Sequence, residues 1–487
     1  MMADFMWKAR KPKCGMLFLE CRWFKSVGMG SDVPGGDLCT KVRSRTEAIC
    51  EDLSTDLDVV YPDLISDVPA LREAMKRFIA EEVDFVLASF TTWTEDFAWV
   101  RFLRDFPADI PVLFWCLQGE TIDFVDNISP NNFTEFLLNT GLVGSLEGSG
   151  SVQRTGASGR VVKSICGSVR TCRDRVTQFG RAAKARAILR RSRLGLLQSF
   201  NEVMWSTYVD PYRFFLEAGP EIQVVSFESL RKAAEAVPPS DADKMAQELN
   251  NKYHVQDDVD PRLFRESVRA SIGLASLARE RSLDAIAFND VDDSLHETLG
   301  LRPGFYHPDF DRAHSVVVPE ADVGMAALAL ALRMMTGQPA VFVEPFFLDE
   351  NNNTFAAGHA GPNNHAAARA EDVIIMPDAE YENSDFKYAG APFACFTVPP
   401  GIMTMVHLGQ SDRTFKLVSG LVESVPPTCQ LKGYAGGMFH SEISVNEFFE
   451  QLLRAGVTQH YLVVAGDWGD QLRDFAMINE FENVEVG

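Results

Sequence analysis

The sequence of 487 residues has no C-x-x-C pair, no apolar run of membrane length, no repeat at a fixed period and a deficit of positive charge. Each of these absences excludes a class. Lys and Arg total 46 against 68 Asp and Glu, a formal net charge of -22. A surface that acidic repels phosphate backbones, so nucleic acid is not an expected partner. The nine cysteines (Cys14, Cys21, Cys39, Cys50, Cys116, Cys166, Cys172, Cys395 and Cys429) lack framework spacing, and several sit in apolar runs such as VLFWCLQ and PFACFTV. They read as small buried hydrophobes in a reducing compartment. The most apolar stretch, VGMAALALALRMMTGQPAVFVEPFF, is broken by Arg333, a Gly-Gln-Pro turn and Glu344. A membrane span needs roughly 20 uninterrupted apolar residues, so this reads as a buried helix followed by a buried strand. MMADFMWKARKPK has no apolar segment before a cleavage site, and the expectation is a cytoplasmic protein with no membrane partner.

What is present is a 46% hydrophobic content and a length that calls for two or three domains. In the first third, CGMLFLEC, LDVVYPDLI, DFVLASF and IPVLFWCLQG read as buried strands. DVPALREAMKRFIAEE and TEDFAWVRFLRDF between them carry apolar residues at helical spacing. That alternation implies a parallel sheet covered on both faces, with ligands at the strand ends. Thr91, Thr92, Trp93 and Gln118 follow such strands, which makes Trp93 and Gln118 candidate substrate contacts. GSLEGSGSVQRTGASGR reads as a linker or long loop. Residues 151–200 then hold twelve Arg and Lys against the single acid Asp174, which fits a solvated helix face or a site for a phosphate or an acidic neighbour.

A second α/β unit follows, with LGLLQSF, EIQVVSF and AIAFND as strands and a helix over Pro261–Arg281. Beyond Gly337, AVFVEPFFL, DVIIMPD, FACFTVPPGIMTMVHLGQ, RTFKLVSGLVES and HYLVVAGD are mostly strands joined by Pro, Gly and Asp turns, the pattern of an antiparallel sheet or barrel. The expected fold is therefore α/β. Two Rossmann-like parallel-sheet domains, 1–150 and 151–330 with a basic linker at its start, precede a predominantly antiparallel β domain, 331–487.

Four side chains stand in unusual places. Glu320 lies in VVVPEADVGMAAL where a helix should begin, and Glu344 interrupts a buried strand. His359 falls in the turn of FAAGHAGPNNH, and His440 in AGGMFHSEIS. A Glu within an apolar strand is costly to bury unless paired or metal-bound. Two carboxylates with two imidazoles suit Mn²⁺, Co²⁺, Zn²⁺ or Fe²⁺. Asn363, His365, Asp349 and Asn351 crowd the region around His359, and Asn363 and His365 join the candidates for contact with substrate hydroxyls.

The succession VPEADVGMAAL, FVEPFFLDENNNTFAAGHAG, RTFKLVSGLVES and AGGMFHSEIS resembles the L-arabinose isomerase family, related to the L-fucose isomerases. LQSFNEVMWSTYVDP and VLFWCLQGE add to the resemblance. It implies a metal-dependent aldose–ketose isomerase of a pentose or (deoxy)hexose, with Mn²⁺ on Glu320, Glu344, His359 and His440. It also implies a homo-oligomer, often a hexamer. The chain departs from the family in reading Glu320-Ala321-Asp322-Val323 for E-G-D-W, and Phe439-His440 for H-H. A divalent ion chelating both sugar oxygens would stabilise an enediolate, with Glu320 and Glu344 sharing the proton transfers in an order the sequence leaves open. Two alternatives also stay open: an epimerase or lyase with the same chemistry, and a non-catalytic sugar-binding protein.

Overall fold

The structure, a computed structural model, describes residues 6–27, 38–94, 96–121, 130–156, 161–200, 203–428 and 433–487. Cys429, residues 201–202 of the LQSFNEV segment and residues 157–160 of the expected linker lie outside them. The chain divides into two compact units, Arg10–Lys184 and a larger one comprising Ala185–Gly487 with the described residues before Arg10.

The first unit is a five-stranded parallel sheet. Its strands are β1 (Lys13–Leu19), β2 (Asp58–Val60), β3 (Phe85–Phe90), β4 (Val112–Leu117) and β5 (Val161–Gly167), in the order β2-β1-β3-β4-β5. β3 and β4 are buried along their whole length because helices cover both faces. Trp99, Phe102 and Phe106 stack on one another, and Trp99 also packs on Phe90 and Phe114 to fill one side of the sheet. The expected boundary at 150 falls inside the helix Gly141–Arg154, and the strand after it adds to this sheet. The expected linker is helical as far as Arg154, because its small residues allow close packing. A Cβ on Gly148 would lie 2.6 Å from the Phe90 ring, and one on Gly144 2.9 Å from the Thr92 carbonyl oxygen.

The second unit opens with β6 (Arg193–Leu197), β7 (Glu221–Val225), β8 (His254–Val255), β9 (Ala285–Phe288) and β10 (Val316–Pro319). Four of these form a parallel sheet in the order β10-β9-β6-β7. The remaining strands are β11 (Ala340–Asp349), β12 (Thr354–His359), β13 (Val373–Met376), β14 (Phe393–Phe396), β15 (Gly401–Gln410), β16 (Phe415–Val425), β17 (Ala435–His440), β18 (Tyr461–Ala465) and β19 (Glu482–Val486). The ring β15-β18-β11-β12-β17-β16 closes through β15–β16 pairing, giving a six-stranded antiparallel barrel with β19 added in parallel on β16. Strands β14-β13-β8 make a small third sheet. Fold class α/β with a mostly antiparallel third region is thus what the chain adopts. The third region shares one compact unit with the central parallel sheet.

The helix Val323–Thr336 explains how the two sheets of this unit meet. It is apolar on all sides, and twelve of its fourteen residues are buried, as expected for a helix covered all round. It packs on β9 and β10 of the parallel sheet and on β15 of the barrel. Asp322 caps its start by accepting from the Met325 amide at 2.9 Å, and Gly337 ends it in a left-handed conformation. No helix among the described residues is long and apolar enough to cross a membrane.

Candidate metal centre

In the four-stranded sheet, β6 and β9 are neighbours whose following strands lie on opposite sides, β7 beside β6 and β10 beside β9. Ligands gather beyond the carboxyl ends of strands at such a reversal. Asp290 follows β9 there and Glu320 directly follows β10. Glu320 and Ala321 both have φ of +59°, consecutive left-handed residues of a kind that cluster at functional sites. The buried Asp290 carboxylate holds the turn by accepting from the Glu320 amide at 2.9 Å.

The barrel supplies the partners. Alternation along β11 puts Val341 and Val343 on one face and Phe342 and Glu344 on the other. Val343 pairs with Tyr461, so the next residue pair across the two strands is Glu344 with His460. The second half of β11 is exposed, with Phe346, Phe347 and Leu348 partly in solvent, and Glu344 stands where burial gives way. His359 ends β12 as its last strand residue, where a turn was expected, and its ring packs edge-on against Phe342.

These elements bring Glu320, Glu344, His359 and His460 together. His460 Nε2 lies 2.7 Å from Glu320 Oε2 and 3.4 Å from Glu344 Oε1, and His359 Nε2 lies 3.4 Å from Glu320 Oε1. Ligand atoms of Glu320, Glu344 and His460 all fall within 4.8 Å of one another. The fourth expected ligand, His440, is not among them. It pairs with Thr354 at the start of β12, whereas His359 ends that strand. Five residues of strand separate them, about 17 Å. His460 takes its place.

Both imidazoles have their other nitrogen occupied. His460 Nδ1 donates to Asp322 at 2.8 Å, and His359 Nδ1 donates to the Ala360 carbonyl at 2.6 Å. Each ring therefore presents Nε2 to the carboxylates, and two acceptors 2.7 Å apart need a cation between them, either a proton or a metal. Burial works against charge on His460, yet hydrogen bonds to Asp322, Glu320 and Glu344 raise its pKa well above the ordinary imidazole value. Burial likewise opposes the Glu320 carboxylate, but His359 and His460 hold it well below the usual range. A carboxylate or carbonyl acceptor behind each imidazole is the arrangement that orients histidines at metal ions. With two carboxylates in front, the donor set fits a borderline divalent cation such as Mn²⁺, Co²⁺, Fe²⁺ or Zn²⁺.

Behind the centre lies a buried charge layer. Arg302 donates to Asp378 at 2.8 and 3.0 Å, to Glu380 at 2.6 Å and to Asp290 at 3.4 Å. Burial pushes the Asp290 carboxyl up to about 6, against the pull of Arg302 and His359. Tyr434 donates to the other Glu380 oxygen at 2.5 Å.

The remaining expected contacts have other partners. Asn363 is a structural residue: its amide accepts from the Phe342 N–H at 2.9 Å and donates to the Phe342 and His359 carbonyls. His365 hydrogen-bonds the Tyr253 hydroxyl at 3.0 Å and lines a separate cavity of about 800 Å³ with Tyr306 and His307. Gln118 and Trp93 belong to the first unit. Gln118 donates to the Leu117 carbonyl at 2.7 Å, and Trp93 packs on Trp23 and Phe24 and hydrogen-bonds Glu147. Asp290 and His460 went unread in the sequence, and Asp322 was read only as part of Glu320-Ala321-Asp322-Val323. The available signal for His460 was an imidazole at the mouth of the apolar strand HYLVVAG.

The fold and the site define an α/β protein with a candidate divalent-metal centre. Compared with family models and with curated proteins, the sequence matches none.

Proposed function

We propose that the protein is a metal-dependent aldose–ketose isomerase acting on a pentose or (deoxy)hexose, with Glu320, Glu344, His359 and His460 holding one divalent cation. The observation that carries this reading is the pairing of two unlike carboxylates beside two imidazoles whose Nε2 atoms face inward. A divalent ion bound there would act as a Lewis acid on the carbonyl and hydroxyl oxygens of the sugar.

The chain's own residues divide the remaining work. Glu320 is fixed between two imidazoles and kept ionised, so it serves as a ligand and an anchor. Glu344 touches His460 alone of the two, at 3.4 Å, and its side chain is 21% exposed against 10% for Glu320. That freedom suits the group that takes a proton from the sugar carbon and returns it to the neighbouring one. Asp322 and the Ala360 carbonyl keep both imidazoles in the tautomer that leaves Nε2 free. Four further carboxylates, Asp290, Asp322, Asp378 and Glu380, stand behind the pair against one guanidinium, Arg302. Such a field favours an uncharged sugar over a phosphorylated one.

The resemblance of VPEADVGMAAL and FVEPFFLDENNNTFAAGHAG to L-arabinose isomerases supports the same reaction. With it come Mn²⁺ as the ion, a homo-oligomeric assembly and a cytoplasmic setting. The test is to strip the protein with chelator, reload it with Mn²⁺, and screen aldopentoses, aldohexoses and 6-deoxyhexoses for ketose. Ketose formed only by the reloaded protein is expected. Epimerised aldose would move the assignment to an epimerase. Tight sugar binding without turnover or metal would leave a sugar-binding protein.

A further inference from the structure

Two cysteines of the first unit stand opposite each other at the carboxyl ends of their strands. Cys116 on β4 is in register with Cys166 on β5. Their side chains leave the same face of the sheet about 4.8 Å apart, one strand spacing. The two thiols are hydrogen-bonding neighbours. Disulfides join Cα atoms about 4.4–6.8 Å apart and Cβ atoms about 3.5–4.5 Å apart. Paired strands satisfy the first window directly and the second after a small approach. Among the described residues β5 ends the strand order and pairs with β4 alone. Cys166 is exposed and Cys116 buried, so one thiol meets solutes and the other waits beside it.

We propose that Cys116 and Cys166 form a reversible cross-strand disulfide by exchange with a low-molecular-weight disulfide of the glutathione type. The Cys166 thiolate attacks one sulfur of glutathione disulfide. This forms a mixed disulfide and expels glutathione thiolate, which takes up the proton that Cys166 gave up. The Cys116 thiolate then attacks the Cys166 sulfur, forms the bond between β4 and β5, and expels a second glutathione, protonated in the same way. Two protein thiols are oxidised, and one glutathione disulfide is reduced to two glutathiones. A bond that draws two strands together is strained and hence easily reduced, which is the character of a switchable disulfide. Partial burial and the Cys116 neighbour raise the Cys166 thiol above its ordinary value, with Arg175 working against them. Gln118 Nε2 lies 3.6 Å from Cys116 Sγ, and closing the bond draws that sulfur away from it. The switch therefore acts on a side chain at the carboxyl end of the first sheet.

The test treats the full chain with glutathione disulfide, blocks remaining thiols by alkylation after unfolding, and maps the peptides. The expected result is a Cys116–Cys166 cross-link, a loss of two free thiols, and full recovery with dithiothreitol. Cys116→Ser should trap glutathione on Cys166. Cys172 is a buried thiol close to the end of β5, its sulfur 3.1 Å from where a Cβ on Gly167 would stand, so Cys172→Ser must still form the cross-link. A stable glutathione adduct on Cys166 of the unsubstituted protein, with Cys116 still alkylated, would overturn the proposal. So would a Cys166–Cys172 bond. Both are read on the unsubstituted chain, so they stand even where the serine variants fail to fold.

Discussion

Replacing His460 with Asn is the perturbation whose effects the geometry specifies most fully. His460 is fully buried, and its two nitrogens meet Asp322 at 2.8 Å and Glu320 at 2.7 Å, with Glu344 at 3.4 Å. Its raised pKa makes it the cation that compensates these carboxylates. Removing one partner of a buried charge cluster costs about 3–5 kcal/mol, so the metal-free variant should unfold at clearly lower urea than the parent. The metal-binding effect is separate. Losing a residue that merely orients a ligand costs 10–100-fold in affinity, so losing the ligand itself should cost roughly 100-fold or more. Calorimetric Mn²⁺ titration of the parent, His460→Asn and His440→Asn measures this directly. His440→Asn should bind within about threefold of the parent, because His440 pairs with Thr354 at the far end of β12. Unchanged affinity in His460→Asn, or its loss in His440→Asn, would refute the assigned ligand set. If His460→Asn does not fold, Asp322→Asn reads the same interaction more mildly.

Other expectations follow from the same contacts. Glu344→Gln should lower turnover by 10²-fold or more while Glu320→Gln loses metal as well, which kinetics and Mn²⁺ titration on both variants would separate. Asp290→Ala should weaken metal binding about 10–100-fold by freeing the Glu320 turn. Asp290→Asn, which keeps an oxygen for the Glu320 amide, should recover most of that affinity. Ala321→Gly should stabilise the fold by about 1 kcal/mol in urea denaturation, since a left-handed φ costs an L-residue roughly 1–2 kcal/mol. Burial pushes His365 down to about 4, below its unfolded value of about 6.5. Its stabilising contribution is complete above about 6.5 and is lost as pH falls towards 4, up to about 3 kcal/mol. His365→Gln should therefore show a shallower loss of stability between pH 7 and pH 4.5 than the parent.

The parts of this molecule that were readable in sequence are those fixed by local pattern. CGMLFLEC, DFVLASF and VLFWCLQ are strands because apolar runs of that length need a covered parallel sheet. β5 escaped notice because VVKSICG ends the strand order and only Ile165 of its seven residues is buried. Gly144 and Gly148 suggested a loop, yet they serve close packing on Phe90 and Thr92, which no local rule encodes. At the site, Glu320 and Glu344 stood out as charges in apolar surroundings. His460 did not, because barrel closure alone sets β18 beside β11. His440 looked eligible because its glycine-rich context resembled a family motif, but strand register carries it to the wrong end of β12. Nor did local pattern reveal the left-handed backbone at Ala321, where an alanine adopts a glycine-like φ of +59°.

The most direct test of the account is to incubate the Mn²⁺-loaded protein with the sugar panel in deuterated water and follow products by NMR. The account predicts ketose carrying deuterium at C1, formed by the loaded protein and abolished by chelator. No turnover of any sugar, in a protein that retains no stoichiometric metal, would contradict it.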